Sequence, residues 1–271
     1  MFSNPFFQAF AVTIVIAILG WVMSLVRRDA SIADFFWPWL GVVNVVVYLI
    51  NAAAPTSVAL VVVGIVVVGA VRLALFVAMR LKRQGEDRRY AEIRQRWRVG
   101  FALKSLPGIF LLQAIMGFLL AIPLSVVMTR SNSWTMLDIV ALLVWLGGFS
   151  IQVIADQQLT KFAANDIGSG VLQTGIWRYS RHPNYFGELC MGWGLFAFAV
   201  SGGGAWTVFA PLLLTWSILR FTGISRMEKG ILSRRPCYAS YVQATSPLVP
   251  WPPRRIEKCR SSHRDHGRDR Q

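Results

Sequence analysis

Seven apolar runs divide this chain, each close to the roughly 20 residues a helix needs to cross a bilayer. They lie at about Pro5–Val26, Phe35–Ala54, Val58–Met79, Leu106–Met128, Leu137–Ala155, Tyr185–Ser201 and Ala205–Phe221. The sixth and seventh are short and predict helices that are tilted or partly sunk in protein. The pattern predicts an all-α fold: a polytopic membrane helical bundle of about seven transmembrane helices, forming one domain over residues 1–254. Residues 255–271 read as a basic, disordered tail.

Charge gives this bundle an orientation. The loop after the first run holds Arg27 and Arg28, the loop after the second has no charge, and Arg80–Lys104 carries nine basic residues. Arg130 alone follows the fourth run, while Lys161, Arg178 and Arg181 follow the fifth. Ser201–Gly204 is neutral, and the C-terminal segment is strongly basic. Basic and neutral loops alternate, which by the positive-inside rule predicts an outside N-terminus and a cytoplasmic C-terminus. The polar stretches Gly85–Arg94, Asp156–Glu188 and Met227–Arg254 then all face the cytoplasm. The arginines after the first run mark a membrane helix instead of a cleaved signal.

Composition agrees with a multi-pass integral membrane protein, in the cytoplasmic membrane if the source is bacterial. The 271 residues are 55% hydrophobic and 15% charged, against about 25% charged in soluble domains. The net charge of +15, concentrated at Lys82–Lys104 and in the tail, predicts attraction to anionic lipid headgroups and no nucleic-acid partner. Three dispersed cysteines, without CxxC spacing, predict no metal site.

One polar knot interrupts this pattern. Ile176–Gly194, IWRYSRHPNYFGELCMGWG, runs from a charged loop into an apolar helix carrying one glutamate. Pro183 suits a first helical turn, which sets Asn184 and Glu188 four apart on one face. Arg178, Arg181 and His182 gather at that helix N-terminus, where anions are favoured. The segment therefore suits a ligand with phosphates at one end and a hydrogen-bonding ring amide at the other. The competing reading is an ordinary loop whose arginines reach to headgroups. No soluble dinucleotide fold is present: Gly168–Gly170 lacks the third glycine and its strand–turn–helix frame.

RYSRHPNYFGE resembles the motif of the DUF1295 family, multi-pass membrane proteins related to the steroid 5-alpha-reductase C-terminal domain. SIADFFWPWLG (Ser31–Gly41), GEDRRYAEIR (Gly85–Arg94), DQQLTKF (Asp156–Phe162) and the segment Met227–Arg254 resemble its other signatures in the same order. The likeness covers about residues 20–255, with the steroid-reductase-like portion at about 130–254. It implies an NADPH-dependent oxidoreductase that reduces a carbon–carbon double bond of a lipophilic enone or lipid-like substrate. Asn184 and Glu188 would meet the nicotinamide carboxamide, Asn184 as donor and Glu188 as acceptor. Asp156 would meet the ribose or adenosine. Arg178, Arg181, His182 and Lys161 would serve the phosphate end, with Arg226 as a basic position of the closing segment and Tyr241 there as a lid or packing residue over the cofactor. Where relatives carry a further basic residue this chain has Ala163, so one phosphate contact is either missing or supplied by Lys161. Tyr179 and Tyr185 are the candidate catalytic donors, with Tyr48 and a protonated Asp34 as alternatives.

Two other functions compete. Membrane isoprenylcysteine carboxyl methyltransferases share the Arg-His-Pro-x-Tyr segment, which would make the cofactor S-adenosylmethionine. A non-enzymatic lipid-binding protein would account for the basic loops alone.

Overall fold

The computed structural model describes residues 4–165, 170–221, 228, 230–232, 235 and 238–254. Among them there is no β-strand, and every regular element is a helix. Helix α1 (Pro5–Arg27) starts at Asn4, whose side chain accepts the Phe6 N–H at 2.9 Å. Pro5 takes the first turn, where no N–H is missed. Helix α2 is Ile32–Ile50, and α3 (Ser57–Gln84) is capped by the Thr56 hydroxyl. Helix α4 (Arg88–Trp97) follows Asp87, which accepts the Arg89 N–H at 2.9 Å. Helix α5 (Phe101–Ser105) passes through a π turn, Leu106–Leu111, into α6 (Leu112–Thr129). Pro107 sits in that turn and has no N–H to give the turn before it.

Helix α7 is Met136–Asn165 and α8 is Pro183–Ser201. A shorter apolar helix, Ala205–Arg220, has α9 (Phe209–Trp216) as its regular part, and α10 is Tyr238–Ala244. Among the described residues five helices are long and apolar enough to cross a membrane: Pro5–Arg27, Ile32–Ile50, Ser57–Arg83, Phe101–Thr129 and Met136–Asn165. They mark a multi-pass membrane protein. Helix α8 stands outside this group; Asn184 and Glu188 dilute its first two turns.

The fold divides into two compact units, one of residues up to Val144 with Gly192–Leu214, the other of Trp145–Met191 with residues from Thr215 onward. The first unit packs Ala9, Val45, Tyr48, Val58, Val62, Leu124, Met128 and Phe198 into one core. Inside it the fully buried Asn44 amide donates to the Thr13 hydroxyl at 2.8 Å and the Leu40 carbonyl at 2.7 Å. Such polar links hold helices together where apolar contact gives no preference over lipid.

The second unit rests on a close crossing of α7 and α8. A Cβ placed on Gly187 would lie 2.5 Å from the Gly148 carbonyl oxygen and 2.9 Å from the Gln152 nitrogen. A Cβ on Gly148 would meet the Gly187 oxygen at 2.5 Å. Small residues let helix backbones touch in this way. Both obstacles are backbone, which cannot swing aside. Gly187→Val is therefore expected to cost about 3 kcal/mol, read as a lower unfolding midpoint in detergent. An unchanged midpoint would contradict the close crossing.

Candidate functional site

The crossing at Gly148 and Gly187 decides which side chains meet. One and two turns beyond it on α7 come Gln152 and Asp156, four apart and both buried. One turn before it on α8 stands Asn184, with Glu188 on the other side of Gly187, half-buried. The Asn184 amide nitrogen reaches the Asp156 carboxylate at 3.4 Å, a long hydrogen bond. Its carbonyl oxygen, Oδ1, is buried and accepts from no group of the protein among the described residues. Turning the amide over would set that oxygen against the carboxylate, acceptor against acceptor, so the orientation follows from the network.

The loop ahead of α8 is tied down from two directions. From the α7 side, the Gln158 amide oxygen accepts the Ile176 N–H at 3.1 Å, and the Trp177 indole donates to the Ala155 carbonyl at 3.1 Å. Gly175 turns the chain there with φ +60°, and a side chain would strike Gln158. From the closing segment, the Leu248 carbonyl accepts the Ser180 hydroxyl at 2.7 Å, and Trp251 donates its N–H to the Tyr179 carbonyl at 2.9 Å. The Tyr241 hydroxyl donates to the carbonyls of Trp177 and Ser180.

Arg181 is the centre of this clasp. Its Nε and Nη2 donate to the two oxygens of Glu228 at 2.6 and 3.2 Å. Its Nη1 donates to the carbonyls of Val242 at 2.8 Å and Thr245 at 2.6 Å. His182 Nε2 lies 3.2 Å from the same Glu228 carboxylate, and its ring stacks on Tyr185 at 5.6 Å. Burial alone would raise the Glu228 pKa, but hydrogen bonds and charge from His182 and Arg181 outweigh it and hold the group below its ordinary value. Burial pushes the Tyr238 hydroxyl up to about 12 and Tyr241 higher still.

The structure thus brings Asp156 to Asn184, and joins Arg181 with His182 through Glu228. It gives Arg181 and Tyr241 internal partners in place of open faces. Arg178 is exposed, its guanidinium 5.0 Å from the Tyr179 ring, and Lys161 is exposed at the end of α7. Tyr179 is 39% exposed, whereas Tyr185 is half-buried. Arg226 lies outside the described residues. Glu228 escaped the sequence reading, although one signal pointed to it: it is the single carboxylate in the basic segment Met227–Arg254. Asp34, an alternative acid on sequence grounds, is engaged in ion pairs. Its carboxylate accepts from Arg80 at 2.8 Å, Arg89 at 2.9 Å and the Tyr90 hydroxyl at 2.6 Å.

Among the described residues no group of three or more His, Cys, Asp or Glu is placed to hold a metal ion. The family described as "Protein of unknown function (DUF1295)" matches residues 20–245. The chain belongs to the DUF1295 family. A relative from Schizosaccharomyces pombe, "Uncharacterized protein C594.04c", is 23% identical over 284 aligned positions, covering 92% of this chain and 80% of the relative. No solved structure matches. The DUF1295 segment contains the Asp156–Asn184 contact and the Arg181–Glu228 clasp; the carbonyls of Ser246 and Leu248, which complete the clasp, follow just after it.

Proposed function

We propose that this DUF1295 protein is an integral-membrane, NADPH-dependent reductase acting on a carbon–carbon double bond of a lipophilic enone or lipid-like substrate. The observation that carries the reading is the buried Asn184 Oδ1, which accepts from no protein group among the described residues and stands one turn from Glu188 and beside Asp156. A buried acceptor without a donor is costly, and a carboxamide N–H is the donor such a site fits. With its own N–H turned to Asp156, Asn184 would hold the carboxamide as an acceptor, not as the donor expected from the sequence. The likeness to steroid 5-alpha-reductases supports the same assignment.

NADPH, when bound, supplies the hydride. The chain's residues do the rest. Asn184 and Glu188 orient the ring amide, and Asp156 fixes the Asn184 amide. The exposed Arg178 and Lys161 meet the phosphates. Arg181 and His182 act through Glu228, holding the turn that starts α8. Tyr185 is the better placed of the two phenols to donate to a substrate carbonyl: it is half-buried and braced by His182. A tyrosine, with an ordinary pKa of about 10, keeps its proton at neutral pH, and a donor aimed at developing negative charge stabilises the enolate. The positive-inside pattern would open this site to the cytoplasm.

The test is thermal stability of the detergent-purified protein with NADPH, NADH and S-adenosylmethionine, each beside Glu188→Gln. Saturation at a hundred times the dissociation constant should add about 2.7 kcal/mol. The expected result is a rise with NADPH that Glu188→Gln abolishes. A rise with S-adenosylmethionine alone would replace the reading with methyl transfer, and no rise with any ligand would favour a lipid-binding protein.

A further inference from the structure

A cavity of about 260 Å³ opens within the first unit, where α1 begins and α2 and α6 end. Phe6, Tyr48, Asn51, Ser125, Thr129 and Trp206 line it. Tyr48 is 2% exposed, yet its hydroxyl has no hydrogen-bond partner among the described residues. Its neighbours in the wall are engaged. Asn51 donates to the Gln8 side chain at 2.8 Å and the Val47 carbonyl at 2.9 Å. Ser125 donates to the Ile122 carbonyl at 2.7 Å, and Thr129 to the Ser125 carbonyl at 3.0 Å. Phe6 packs edge-on against the Tyr48 ring, 5.6 Å between centroids, which fixes the phenol in place.

From this we infer a second binding site, independent of the reductase reading, for an apolar molecule that presents one carbonyl to Tyr48. The chemistry follows from the wall: an apolar body satisfies Phe6, Trp206 and the aliphatic lining, and one acceptor answers the unpartnered phenol. The volume suits about ten heavy atoms, since a 150 Å³ cavity accommodates benzene. Such a carbonyl has two sources in a membrane, the ester group of a lipid or a free lipophilic ketone.

The probe is 1-indanone, added to the full chain in lipid nanodiscs, with indane as the carbonyl-free control. Saturable binding and the infrared carbonyl stretch are both read. Wild type is expected to bind 1-indanone saturably and to shift its carbonyl band to lower wavenumber. Tyr48→Phe, which keeps the ring, should weaken binding roughly tenfold and remove the band shift while leaving indane binding unchanged. Ser125→Leu, which fills the cavity, should abolish binding of both. Weaker probe binding in ester-linked than in ether-linked lipid identifies a lipid ester as the resident group; equal binding identifies a free ketone, and either keeps the site. No saturable binding in wild type, or the same affinity and band position in Tyr48→Phe, would overturn it.

Discussion

Asp138→Ala is expected to lower stability by about 3–5 kcal/mol, the largest effect of any single substitution considered for this chain. Asp138 and Arg130 are 0% and 1% exposed at the side chain and pair through two parallel bonds, 2.7 and 3.1 Å. The carboxylate also accepts the Ser201 hydroxyl at 2.5 Å, and the Thr135 N–H and hydroxyl at 2.8 and 2.9 Å. Removing it leaves a buried guanidinium with Asn132, Ser201 and Ser133 as its remaining partners. An unpaired buried charge is what makes such a loss large; the pair itself gives far less, because desolvation offsets the attraction. The double change Arg130→Met with Asp138→Leu should therefore recover most of the lost stability. Unfolding in mixed detergent measures both. A loss below about 1 kcal/mol would mean the pair is solvated like a surface ion pair.

Arg181→Ala should cost about 3 kcal/mol and should also abolish nucleotide binding. Four of the guanidinium's N–H groups are engaged, two with Glu228 and two with the carbonyls of Val242 and Thr245. Without them the closing segment loses its hold on the turn that presents Asn184. Lysine keeps the charge but cannot span four acceptors, so Arg181→Lys should be nearly as damaging. The same clasp sets a pH dependence. The folded Glu228 pKa is depressed, with the hydrogen bonds and charges of His182 and Arg181 prevailing over burial. A depressed acid contributes stability above its unfolded pKa of about 4.3, and that contribution is lost as pH falls through the lower folded value. Glu228→Gln should flatten this acid limb, and an unchanged limb would contradict the assignment.

How far the sequence revealed these features depended on range. Hydropathy located the apolar runs because each is a local property, and Pro183 opens α8 as its ring requires. The same method stopped α7 at Ala155, whereas the helix continues to Asn165. The residues beyond, DQQLTKFAAN, are polar but good helix formers, and hydropathy cannot see that. Ala205–Phe221 was legible as apolar, but not its breaks into a 3₁₀ start and a π turn at Ser217–Phe221. At the site, the four-residue spacing of Asn184 and Glu188 was readable directly. Glu228 pairs with Arg181 across 47 residues, and Arg89 with Asp34 across 55. Such pairings are made by tertiary packing, and no periodicity announces them. The same holds for Gly148 against Gly187, where each glycine looks ordinary until the helices meet.

The most direct measurement is a calorimetric titration of NADPH into the detergent-purified full chain, repeated with Glu188→Gln and Asn184→Ala. The reductase account predicts saturable one-to-one binding by wild type, loss of that binding in both variants, and no competition from S-adenosylmethionine. Wild-type binding that both variants retain, or no binding of NADPH at all, would contradict it.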